Sequence, residues 1–194
     1  MIIWINGAFG AGKTQAAYEL QRRHKDAYVY DPENLGFFIR SNIPPSISAE
    51  DFQDYPMWRT CNFDMLDYIS ARFSGDIIVP MTITDRTYYE EIIGRLAEKY
   101  TVKHFILWAE KDTLLRRLAS RGESRHSWGA QQIDRCMEAF EKDITECRIS
   151  TDSMTIDQVV ERIAELSGIT LPKDNRSNTR KLLDRITTQF RHIR

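Results

Sequence analysis

Short apolar runs alternate with stretches of helical periodicity from the first residue to about position 167. The runs at 1–6, 27–30, 76–80, 102–108 and 148–151 predict five strands. Between them, residues 13 to about 24 bury Ala16, Ala17 and Leu20 on one face. Residues 58–73 repeat Trp58, Met65, Leu66 and Ile69 at helical spacing. The segments 88–99, 112–121, 129–142 and 156–167 read as further helices, and a polar, proline-containing stretch occupies 41–56. Strands alternating with helices predict an α/β fold with a parallel sheet covered on both faces. Ligands in such sheets sit at the carboxyl ends of strands.

After position 168 the pattern changes. From Asn178 onward, Leu182, Leu183, Ile186, Phe190 and Ile193 fall within roughly a 100° arc, with Arg180, Lys181, Arg185 and Arg191 outside it. The formal charge of the chain is −1. Seven basic and two acidic residues follow Pro172, which leaves about −6 on the rest. An α/β domain over 1–168 and a basic amphipathic tail helix over 169–194 are therefore expected. Such a helix either docks on the core or lies in the interface of an anionic membrane. Specific nucleic-acid binding is not expected. Cys61, Cys136 and Cys147 lack C-x-x-C spacing, so a cytoplasmic setting without zinc or disulfides is expected. Neither a signal peptide nor a membrane-spanning helix is expected from the composition.

The residues between the first strand and first helix, Gly7-Ala8-Phe9-Gly10-Ala11-Gly12-Lys13-Thr14, read G-x-x-x-x-G-K-T. Strand, glycine-rich turn and helix are the context that a phosphate-binding loop requires. Its backbone N–H groups and the helix N-terminus would hold a nucleoside triphosphate. Lys13 would reach the β- and γ-phosphates, and the Thr14 hydroxyl would ligate Mg²⁺. ATP and Mg²⁺ are the expected ligands.

Other strand ends supply the remaining candidates. Asp31 follows the second strand and either takes a proton from a substrate hydroxyl, or holds Mg²⁺ through water, or only initiates an Asx turn before Pro32. Glu33 reads as a first-turn helix residue. Arg40 and Arg59 suit an anionic or hydroxylated substrate, with surface salt bridging as the plain alternative. The third strand closes Val79-Pro80-Met81-Thr82 without the Mg²⁺-binding acid that many phosphate-loop enzymes place there. Asp85 fits an N-cap instead. Arg117, Arg121 and Arg125 recur every four residues and suggest a mobile lid over about 121–131, with Arg121 and Arg125 catalytic. The alternative is a solvated basic face partnered by Glu110, Asp112 and Glu123.

With these residues placed, the chain resembles the bacterial tunicamycin-resistance proteins, ATP-binding members of the P-loop kinase-like group. The likeness runs along IIWINGAFGAGKT, VYDPENLGFFIR, DFQDYPMWR, IIVPMT, KDTLLRRLASR, SWGAQQIDRC and the final HIR. More distantly, the layout looks like shikimate kinase and chloramphenicol phosphotransferase. The resemblance implies a three-layer P-loop NTPase fold with sheet order 2-3-1-4-5. It also implies ATP binding through Gly7, Gly12, Lys13 and Thr14, protection against a nucleoside antibiotic, and a membrane-associated fraction. Three functions stay open: a kinase that phosphorylates the drug, an ATP-dependent protein that sequesters it at the membrane, and a housekeeping metabolite kinase.

Overall fold

The computed structural model describes residues 1–192, so Ile193, the last member of the tail's apolar stripe, lies outside the described residues. Five parallel strands form one sheet: β1 (Ile2–Gly7), β2 (Ala27–Val29), β3 (Asp76–Pro80), β4 (Val102–Trp108) and β5 (Cys147–Ser150). Their order is β2-β3-β1-β4-β5, as the resemblance implied, with helices on both sides. β1 is central. Ile3 pairs with Ile78 on one side and Lys103 on the other, and all six of its residues are buried. A strand covered on both faces has no solvent side, which is why β1 reads as an unbroken apolar run.

Asn6 is the exception in that run, and it is fully buried. Its amide donates to Ile83 O at 2.9 Å, and its carbonyl accepts from the N–H groups of Gly7 and Ile83. One side chain thus ties the end of β1 to the segment after β3. Trp4 adds a second tie, its indole N–H donating to Met81 O at 3.0 Å. Buried polar groups are tolerated here because each finds a partner.

Helix α1 (Lys13–Arg23) follows β1, and α2 (Glu33–Asn42) follows β2. The latter occupies a stretch whose periodicity is weak, and only Gly36 and Ile39 are buried in it. The polar segment contains 3₁₀ turns at Pro45–Ile47 and Phe52–Asp54 before α3 (Pro56–Ser70). The helix expected over 88–99 is α4 (Arg86–Tyr89), a π turn (Glu90–Gly94) and α5 (Arg95–Ala97). Helix α6 (Lys111–Ala119) stops earlier than its apolar spacing suggests, because Gly122 takes φ 83° and turns the chain. The segment expected as one helix over 129–142 is two, α7 (Trp128–Gln131) and α8 (Ile133–Lys142). α9 (Ile156–Ser167) begins with a capping box between Thr155 and Gln158.

The tail forms α10 (Asn178–His192), which docks on α1 through its polar side. Gln15 donates to Arg185 O at 3.0 Å, Arg22 to Asp184 O at 3.1 Å, and His192 stacks on Tyr18 at 3.9 Å. Arg176 pairs with Glu19, with Asp174 and with Asp184, while Lys181 and Arg185 pair with Asp157. The apolar side is left outward: Leu182, Leu183, Ile186 and Phe190 are all exposed. Among the described residues no helix is long and apolar enough to cross a membrane.

Glu19 is 1% exposed, so its charge depends on these partners. Arg176→Ala leaves it with Arg22 alone. The variant is expected to lose about 3 kcal/mol, the low end for breaking a buried pair from one side. A urea titration reads this directly, and adding Glu19→Gln should restore part of the loss. Equal midpoints for Arg176→Ala and the parent would show that the network contributes nothing.

Candidate functional site

The glycine-rich turn leaves β1 at Gly7. Gly7 and Gly10 have φ of 146° and 85°, and a Cβ on either would stand 2.7 or 2.8 Å from the backbone oxygens of Leu107 and Leu114. Backbone cannot yield there, so both positions require glycine. Gly12 caps α1 in the left-handed region without any side-chain cap, and the first turn holds no acid. The N–H groups and positive dipole end of α1 are therefore directed at the turn and suited to an anion.

Lys13 is buried, and its ammonium donates to Gly7 O at 2.9 Å and Ala8 O at 3.1 Å. Burial lowers its pKa to about 8, against the opposing charge of Glu33. Thr82, two residues past the end of β3, donates its hydroxyl to Gly7 O at 2.9 Å. Where an acid was missing from the sequence, a hydroxyl braces the loop.

Two cavities flank the turn. One, of about 550 Å³, is walled by Lys13, Thr14, Glu33, Arg40, Asp51 and Trp128 among others. The other, of about 830 Å³, lies against Gly10–Gly12, Arg117, Thr151 and Ile156. Arg121 lines both. Burial draws its pKa down from the ordinary guanidinium value. A third cavity, of about 580 Å³, adjoins the first and shares Glu33, Phe37 and His192 with it.

The structure distributes the expected residues unevenly. Ala8, Phe9 and Ala11 belong to the turn, and Phe9 meets Trp128 edge-on at 5.2 Å, which joins α7 to the loop. Asp31 accepts from Glu33 N at 3.0 Å, an Asx turn that starts α2, and it faces the third cavity. Arg40 donates to Glu50 O at 2.9 Å and lies over Phe52. Arg59 lines none of the three cavities: it donates to Gln53 O at 2.6 Å, pairs with Glu91 and lies over Tyr88. Asp85 caps α4, accepting from Tyr88 N at 3.0 Å. Because α6 ends at Ala119, the three arginines do not share one helical face. Arg117 donates to Thr151 O at 2.6 Å, Arg121 reaches the junction of the cavities, and Arg125 is exposed.

Glu33 and Asn6 are the residues that the sequence undervalued. The signal for Asn6 was a lone amide at the end of an apolar run. For Glu33 it was the Asp-x-Glu spacing, which puts two carboxylates at one strand end. The donors present fit magnesium with a nucleotide. Thr14 offers a hydroxyl on the cavity wall, Thr82 has given its hydrogen to Gly7, and remaining positions fall to water and phosphate oxygens, as Mg²⁺ prefers.

A sequence profile of the AAA-domain family matches residues 2–142. No curated protein matches the chain. Among solved structures, the tunicamycin resistance protein of Deinococcus radiodurans is similar at 32% identity over 89% of this chain and 98% of that one, with a TM-score of 0.76. A shikimate kinase from Bacteroides thetaiotaomicron shares the fold at 20% identity, covering 87% of this chain and 99% of its own, with a TM-score of 0.60. A sugar kinase from Janibacter sp. HTCC2649 does so at 16% identity, covering 87% and 95%, with a TM-score of 0.62. Loop geometry, sheet order and sequence profile agree: the chain belongs to the AAA-domain family of P-loop, kinase-like proteins.

Proposed function

We propose that the chain binds MgATP across residues 7–14 and transfers the γ-phosphoryl group to a hydroxyl of a small acceptor. The acceptor is a nucleoside-type antibiotic of the tunicamycin kind, held in the 550 Å³ cavity. Arg121 carries this reading, because it lines the cavities on both sides of the loop. A cation between donor and acceptor sits where phosphoryl transfer places charge on the migrating oxygens. Arg125 would join it on closure of the turn after α6.

Lys13 now donates to two neutral carbonyls. Phosphate oxygens are stronger acceptors, and the flexible stem lets the ammonium turn to them. Magnesium, when bound, neutralises charge on the β- and γ-oxygens. Thr14 would hold it, with Asp31 assisting through water. Glu33 is the proton acceptor in this proposal, since it shares the cavity of Lys13. Asp31 aims it by holding its N–H. Arg40 contacts the acceptor, and Arg59 supports that wall from behind through Gln53.

A second reading, ATP-dependent sequestration without transfer, draws support from Thr82, since no acid stands at the end of β3 to speed the reaction. The two are separated by incubating protein, MgATP and tunicamycin and weighing the drug. A product heavier by about 80 Da, one added phosphoryl group, supports transfer. Unmodified drug that copurifies only with ATP-loaded protein supports sequestration. Neither outcome would turn attention to a metabolite acceptor.

Peripheral attachment to an anionic membrane has one supporting observation, the exposed apolar side of α10. Its electrostatic half is weaker, because Arg176, Lys181 and Arg185 are paired with Glu19, Asp174 and Asp157. Cosedimentation with anionic vesicles at low salt tests it. Protein that stays in the supernatant with and without ATP ends that reading.

A further inference from the structure

The 830 Å³ cavity is bounded on one side by the phosphate loop and Arg121, and on the other by α10. We propose that α10 is the wall on which the base of the bound nucleotide packs, with Phe190 as its stacking face and Ile186 beside it. The proposal rests on the nucleotide reading above and names its base-recognising surface.

Four observations carry it. Ile186 and Phe190 line the same cavity as Gly10 and Gly12, so a nucleoside extending from a triphosphate in the loop away from the acceptor cavity meets them. Phe190 is 85% exposed, although an aromatic ring of that size gains most from burial. A purine or pyrimidine has a flat face that covers such a ring at little ordering cost, whatever its sequence of edge donors. The wall is already in place. Gln15 of α1 donates to Arg185 O, and Arg185 and Lys181 pair with Asp157, so the helix is not left to assemble around the ligand. Gln15 itself lines this cavity and leaves its buried Oε1 without a partner, the kind of deficit that a base or ribose donor fills. Leu182 and Leu183, the other described apolar residues of the stripe, line none of the three cavities.

Titration calorimetry on the full chain tests this with two probes, MgATP and magnesium tripolyphosphate, which offers the phosphates without a base. Phe190→Ala is expected to weaken MgATP about ten- to a hundred-fold, the range for losing one base–aromatic stack, with tripolyphosphate unaffected. Phe190→Tyr should keep the parent affinity. Both side chains are exposed, so the fold is not at stake in either variant. Unchanged MgATP affinity in the Phe190→Ala, Ile186→Ala double variant overturns the proposal, as does an equal loss with both probes. Parent protein that binds the two probes equally tightly also overturns it, while leaving the loop reading intact. Parent protein that binds neither overturns both.

Discussion

Glu33→Gln should lower phosphoryl transfer by about two to four orders of magnitude while ATP still binds, the usual consequence of losing a general base. The amide keeps the shape of the side chain and its place at the start of α2, but it cannot take a proton from the acceptor hydroxyl. Glu33 is the choice because it lines the cavity that holds Lys13 and Thr14, and because its charge acts on Lys13. Asp31→Asn should have a smaller effect. Its carboxylate faces the adjoining cavity and holds the Glu33 N–H at 3.0 Å, a bond that an asparagine oxygen can also accept. Single-turnover phosphorylation with purified variants measures both. Were Asp31→Asn the more damaging change, the base would be Asp31, and Glu33 would be an ordinary first-turn residue. A sequestering protein would bind drug and ATP alike in both variants.

Lys13→Ala is expected to weaken ATP binding roughly ten- to a hundred-fold, since a charge-assisted contact of about 1.5–3 kcal/mol disappears. The fold should survive, because Thr82 still donates to Gly7 O and the glycine geometry is untouched. A pH series gives the lysine a signature of its own. In the free protein burial holds its pKa near 8, below the usual 10.5. The phosphates favour the charged form, so the complex has the higher pKa, and binding above pH 8 must take up a proton. Affinity should be flat below about pH 8, then fall about tenfold per pH unit as the pH rises further. Lys13→Ala should lack that slope. Calorimetry in buffers of different ionisation enthalpy detects the proton uptake, and a parent protein with no slope would show that Lys13 stays clear of the phosphates.

Much of the site was legible where chemistry and chain position coincide. Residues 7–14 read as a phosphate loop because its parts are contiguous, and because the required glycines follow a strand and precede a helix. The five strands were legible for a related reason: each is a short run bounded by turns, and the central β1 and β3 are almost wholly buried. Arg59 and Arg125 were harder to read. A guanidinium suits substrate recognition and wall-building equally well, and only the position of Gln53 O and Glu91 beside Arg59 distinguishes the two. For Arg125, the spacing from Arg117 and Arg121 has helical meaning only if the helix continues, and Gly122 turns it aside.

The tail marks the boundary most clearly. Its sequence alone determined that residues 178–192 form a helix with an apolar and a basic side, since that periodicity is local. Which side faces the protein was decided in three dimensions. Glu19, Asp157 and Asp174, from distant parts of the chain, converge into an acidic cluster that captures Arg176, Lys181 and Arg185. The polar side therefore docks, and Ile186 and Phe190 come to line a cavity beside the phosphate loop. Periodicity reports the sides that a helix possesses. The partner of each side depends on charges and surfaces that only folding brings together.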